Sequence, residues 1–160
     1  MSTPSDSAVT NAIVIYESLT GNTATAAKLI AAELSGHGIE ASASPINAVD
    51  LEALSKAQLV VVGSWVDGLF LFGQKPGRDW RLKKLPVIDG KLAAVFCTYA
   101  IEKGKTLDKL DRIVSMRGGD VIGGYGIKRS DIQAGAEEFA GRLLSALDTR
   151  QASDSSLADA

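Results

Sequence analysis

An unbroken apolar run, Ile13-Val14-Ile15, is followed by Ser18, Thr20, Gly21, Asn22 and Thr23, and then by Ala27, Ile30, Ala31 and Leu34. Three consecutive branched aliphatic residues suit a strand covered on both faces, as in a parallel sheet. The i, i+3, i+4, i+7 spacing that follows gives a helix one apolar face. A buried strand, a turn of small hydroxyl residues and a helix start make an anion site, because unpaired N–H groups and the positive dipole end converge on the turn. Ser18, Thr20 and Thr23 add hydroxyl donors, and the loop holds no Lys or Arg. A phosphate would be held there by oriented neutral donors. The same residue types also serve as N-caps of a turn that binds nothing.

Apolar runs and helical patterns alternate along the rest of the chain. Strands are expected at 39–44, Leu59–Val62, Leu92–Cys97 and around Val121-Ile122. Helical stretches fall near 49–56, from Thr106 (Leu107, Leu110 and Val114 on one face), and after Ser130-x-x-Gln133, which reads as a capping box. Gly36-His37-Gly38 ends the first helix, with His37 a cap residue. Residues 66–89 are the least regular part. The pattern predicts a doubly wound α/β domain over 11–148, with a five-stranded parallel sheet in the order 2-1-3-4-5. Residues 1–10 and 149–160, small and polar, read as flexible tails.

Several chemistries are disfavoured. A single cysteine, Cys97, forbids an internal disulfide framework and reads as a small buried apolar residue. A single histidine, His37, placed at a helix end, leaves no Ser-His-Asp set and no metal-ligand spacing, so no catalytic and no metal-binding residue is expected. A formal net charge of −2 gives no reason to expect a nucleic-acid partner. No apolar run has the ~20 residues of a membrane span. The first residues lack a basic region and an apolar core, so a cytoplasmic location is expected. Tyr99-Ala100-Ile101-Glu102-Lys103-Gly104-Lys105-Thr106 ends like a phosphate-binding P-loop, but Tyr99 stands where that loop needs glycine. No G-x-G-x-x-G is present.

In a doubly wound sheet, ligands bind beyond the carboxyl ends of the strands at the switch in strand order. Three loops leave such ends: 17–23 with hydroxyls, 63–68 with an indole, and 97–104 with a phenol. Those contents suit a flat, phosphorylated heteroaromatic ligand. Ser18-Leu19-Thr20-Gly21-Asn22-Thr23 resembles the [ST]-x-T-G-x-T phosphate loop of the flavodoxin family at every defined position. That resemblance implies flavin mononucleotide (FMN), with Ser18, Leu19, Thr20, Gly21, Asn22 and Thr23 around its phosphate. Ser64-Trp65-Val66-Asp67-Gly68 resembles the family's second loop, which implies Trp65 as a stacking residue, a backbone carbonyl after Val66 facing the flavin, and Gly68 as a turn residue. Thr98, Tyr99, Ala100 and Gly104 fall where the family's other flavin loop lies, with Tyr99 a stacker or a ring packed under the loop.

Two departures accompany the resemblance. The family's Gly-Asp pair is missing from the third loop, and the net charge is low for carriers that are commonly acidic. Residues 69–85 join Leu69-Phe70-Leu71-Phe72 to Arg78, Arg81, Lys83 and Lys84. The apolar cluster suits core, a dimer contact or a quinone surface. The basic residues suit either a solvated loop or a rim favouring an acidic partner or a nicotinamide cofactor's phosphates. The resemblance implies an FMN-binding electron-transfer protein working between a reductase and an acceptor. An NAD(P)H-dependent flavin or quinone reductase on the same fold is the alternative, and a non-redox module for a phosphorylated ligand is a third.

Overall fold

The computed structural model describes residues 8–69 and 72–159. Five strands run parallel: β1 (Asn11–Tyr16), β2 (Glu40–Pro45), β3 (Leu59–Leu69), β5 (Leu92–Tyr99) and β6 (Asp120–Lys128). Their order is β2-β1-β3-β5-β6, and β4 (Phe72–Pro76) pairs antiparallel with the far end of β3. Counting the parallel strands alone, this is the expected 2-1-3-4-5 arrangement.

Side chains alternate across the strands, and the alternation builds two cores. Ala12, Val14, Leu59, Val61, Ala94 and Phe96 face α1 (Asn22–Gly36) and α5 (Ile132–Ala158), where they meet Ile30, Leu34, Phe139 and Leu143. Ile13, Ile15, Val60, Val62, Val95 and Cys97 face α2 (Leu51–Lys56), α3 (Asp79–Leu82) and α4 (Thr106–Met116), where they meet Leu54, Leu82, Leu110 and Val114. Continuous apolar runs are required because both faces are covered. The burial of each aliphatic side chain contributes roughly 1.5–3 kcal/mol.

Helix α1 closes on His37 with Gly38 at φ 87, Ile39 N–H donating to Leu34 C=O and Gly38 N–H to Ser35 C=O. This is a Schellman closure with Ile39 and Leu34 packed in the same core. His37 is exposed, its Nδ1 2.9 Å from the Glu33 carbonyl.

Three local expectations are corrected. The cap of α5 is Asp131, whose Oδ1 accepts from Ala134 N–H at 3.3 Å, so Ser130 does not start a capping box. A 3₁₀ turn at Arg129–Asp131 moves the helix start one residue on. Residues 149–158, read as tail, continue α5; no Gly or Pro interrupts them, and Thr149, Ser153 and Ser155 each donate to the carbonyl four residues back. The irregular stretch after Trp65 opens with a β3–β4 hairpin, in which Val66 faces Pro76 and Asp67 faces Lys75. Phe70 and Leu71 lie outside the described residues, and with them the role expected of the Leu/Phe cluster. No helix among the described residues is long and apolar enough to cross a membrane.

Candidate functional site

The carboxyl ends of β1, β3 and β5 bring the three loops into direct contact. Glu17 N–H donates to Gly63 C=O at 3.0 Å, tying the first loop to the second. Trp65 is register partner to Thr98, which sets the second loop beside the third. The Thr23 and Thr98 hydroxyls lie 2.8 Å apart and are almost wholly buried, bracing the first turn of α1 against β5.

The first loop turns through Gly21 at φ 98, a left-handed conformation that costs an L-residue with a Cβ roughly 1–2 kcal/mol. Gly21 is the N-cap residue of α1. It offers no side chain to cap the helix, and no acidic residue stands in the first turn. The hydroxyls do not close the helix end in the usual way. Ser18 Oγ accepts from Gly21 N–H at 3.2 Å, and Thr20 Oγ1 lies 3.5 Å from Asn22 Nδ2. Thr25 N–H and Oγ1 both donate to Gly21 C=O at 2.9 Å. Ser18 and Asn22 are half-buried, while Leu19, Thr20 and Gly21 are exposed. Thr23 differs from expectation: its hydroxyl is engaged inside with Thr98, so the residue offers the loop its backbone and its bracing.

In the second loop, Trp65 is half-buried with its indole lying flat on Gly77, where a Cβ would run into the ring. Gly77 N–H donates to Trp65 C=O at 2.8 Å, and Ser64 Oγ donates to Gly77 C=O at 2.8 Å. Ser64 is wholly buried, and its hydroxyl is engaged in holding Gly77. Val66, Asp67 and Gly68 continue β3, with a register irregularity between Asp67 and Leu69, where a turn was expected. Pairing with β4 satisfies this backbone and carries the strand onward.

In the third loop, Thr98 is buried against Thr23. Half-buried Tyr99 packs its ring on Gly126 of β6 beside Lys103, the arrangement of a ring tucked under the loop. Ala100 is exposed. Gly104, at φ 52, carries the Gln74 side chain on the space a Cβ would fill, and Gln74 Nε2 donates to Glu102 C=O at 3.4 Å. Lys109 Nζ also donates to Gln74 C=O at 2.8 Å, so Gly104 is where the β3–β4 hairpin docks on the start of α4. Cys97 is buried, and desolvation pushes its thiol up to about 12 against the lowering pull of Lys103. It has no thiolate to offer at neutral pH.

The sequence reading missed a buried ion cluster. Glu17, directly before Ser18, is 4 % exposed and accepts from Arg78 Nη1 at 2.9 Å and Arg81 Nη1 at 3.4 Å. Arg78 has φ 48, uncommon for a residue with a side chain, and its guanidinium carbon is 5.8 Å from the Trp65 ring centroid. Both guanidinium groups converge on the one Glu17 carboxylate, and that of Arg78 also lies against Trp65. The signal lay in Glu17 next to the hydroxyl loop and in the basic run, which sequence spacing alone does not join. Among the described residues no cluster of three or more His, Cys, Asp or Glu could hold a metal.

A cleft of about 690 Å³ lies elsewhere, at the amino ends of the strands beneath the second half of α5, lined by Val9, Ile39, Leu92, Leu147 and Arg150. It contains none of the loop residues above. In this topology, ligand chemistry belongs at the opposite, carboxyl ends.

A five-stranded parallel sheet in the order β2-β1-β3-β5-β6, with helices on both faces, defines a doubly wound α/β protein. The model of the flavodoxin domain family matches residues 13–110, and the chain belongs to that family. Among solved structures, a cysteine-to-serine mutant of flavodoxin from Pseudomonas aeruginosa is similar with a TM-score of 0.66 at 17% identity, covering 86% of this chain and 99% of that one. Flavodoxin 2 from Bacillus cereus gives 0.64 at 22% identity, covering 88% and 99%. The rubredoxin oxygen:oxidoreductase from Desulfovibrio gigas gives 0.62 at 17% identity, covering 89% of this chain and 38% of that protein. At these identities the likeness is one of fold. No curated protein is significantly similar in sequence.

Proposed function

We propose that the chain is an FMN-binding electron-transfer protein. The observation that carries this reading is the start of α1, where the N-cap Gly21 turns left-handed, makes no side-chain capping bond, and is followed by no acidic residue in the first turn. A glycine N-cap leaves the first N–H groups of α1 without the side-chain acceptor that a Ser, Thr, Asn or Asp cap would supply. The open end suits a phosphate, received by backbone N–H groups and the Thr20 and Ser18 hydroxyls, with Thr23–Thr98 fixing the turn against β5. Trp65, backed by Gly77 and Arg78, is the residue to cover the isoalloxazine, with the Thr98–Ala100 backbone at its edge.

When bound, FMN supplies the redox chemistry, and the protein binds and orients it. The chain's own groups exclude water on the indole side and set the local field. The Arg78 guanidinium beside Trp65 favours an electron-rich neighbour. No side chain is required as acid, base or nucleophile. An absorption spectrum of the purified protein with and without added FMN tests the reading. A bound-flavin band is expected, and a colourless protein that remains so would end it. Rapid bleaching of that band by NADH or NADPH would move the assignment to the reductase.

A further inference from the structure

Residues 75–84 carry Lys75, Arg78, Arg81, Lys83 and Lys84 against the single carboxylate of Asp79, in a chain of net charge −2. The segment is rooted firmly: Leu82, Leu85 and Ile88 are essentially inaccessible, and Arg81 reaches back to buried Glu17. Its outward face presents Trp80, which is 55 % exposed. Arg81 and Lys84 lie over that ring, 5.0 and 5.4 Å from its centroid. Asp79 is neutralised locally by Lys75 at 3.9 Å and Lys83 at 3.4 Å. The result is a fixed basic ridge with an aromatic anchor. It is one ion pair removed from the hydroxyl loop, because Glu17 precedes Ser18 and also holds Arg78 against Trp65.

We propose that this α3 ridge, anchored by Trp80, is the docking surface for an acidic electron-transfer partner protein. The proposal rests on the electron-transfer reading above. Trp and Arg are the residue types that most often dominate protein interfaces, since a rigid ring and a pre-shaped guanidinium lose little freedom on binding. Charge of one sign steers and orients a partner of the other. A small dinucleotide needs a concave site; Trp80 stands on an exposed helix, which suits a protein surface. A partner seated there approaches Trp65, where the proposed flavin lies.

The test pairs the flavin-loaded, photoreduced chain with two one-electron acceptors in stopped flow, an acidic blue-copper protein and a basic c-type cytochrome. Two acceptor molecules are reduced for each FMN reoxidised, with the flavin's protons released to solvent. The acidic acceptor is expected to react faster at low salt, slowing by about tenfold or more as salt screens the charges. Lys83→Glu/Lys84→Glu should abolish that preference without changing FMN affinity, and Trp80→Ala should slow the acidic acceptor by about tenfold or more. A faster basic acceptor at every salt, or no response to the two variants, would overturn the proposal. Backbone amide shifts give a flavin-independent arm, on adding redox-inert forms of the two proteins or NADPH to the flavin-free chain. Shifts in residues 75–84 caused by the acidic protein alone support the surface. Their absence, or their appearance with NADPH or the basic protein instead, overturns it. Failure to bind FMN would end the electron-transfer reading, and the amide shifts would still decide the surface.

Discussion

At Gly21 the backbone takes a conformation that a residue with a Cβ adopts only under strain, and the first N–H groups of α1 open from it. Gly21→Ala is expected to cost about 1–2 kcal/mol in denaturant unfolding and to weaken FMN, because the turn distorts. Thr20→Val removes one hydroxyl donor and leaves the fold intact. FMN should weaken by about tenfold and riboflavin hardly at all, as befits one hydrogen bond to a charged phosphate; equal weakening in parallel titrations would remove Thr20 from the site. Cys97 bears on pH dependence. Its thiol is raised to about 12 in the folded chain from an ordinary value of 9.0. Folding then suppresses ionisation, so its stabilising effect is complete below pH ~9 and is lost as pH rises toward ~12. Chemical denaturation across pH 8–11 should show a steeper loss in the wild type than in Cys97→Ala, and identical slopes would refute the assignment.

Among the elements, the stretch from β3 to α3 is where sequence reading reached least far. The hydroxyl loop was legible because strand, turn and helix are contiguous and each has a local signature. The β3–β4 hairpin was not, since its pairing depends on Trp65 lying on Gly77 and Gln74 lying on Gly104, contacts across 12 and 30 positions. The contacts of Ser64 and Gly104 were hidden for the same reason: their partners, Gly77 and Gln74, come from an element that the local pattern did not announce. The Glu17–Arg78–Arg81 cluster likewise spans two elements. Arg78→Gln leaves Glu17 with its longer contact to Arg81 and removes a cation beside Trp65. In the partly exposed setting the lost field is worth about 0.5–1 kcal/mol. That should lower the flavin's midpoint by ~20–40 mV for a one-electron couple. A midpoint that stays put in redox titration would separate the cluster from the flavin.

For the molecule as a whole, two cores on the two faces of one parallel sheet follow from short unbroken aliphatic runs, and the strand order is the one expected of this doubly wound class. Topology then delivers the three carboxyl-end loops to one place, and that juxtaposition was as legible as the fold. The detail within it was less so, because Thr23, Tyr99 and Ser64 have side chains that serve either a ligand or the interior, and only packing separates the two uses. At the far end of the chain, α5 continues through 149–158 on small, exposed residues that composition alone could not distinguish from a tail. The central question is whether neutral donors at the start of α1 hold a phosphate. Fluorescence titration of the purified chain with FMN and with riboflavin asks it directly. FMN is expected to bind about a hundredfold more tightly, the worth of two charge-assisted hydrogen bonds to its phosphate; equal affinities, or no quenching by either, would contradict it.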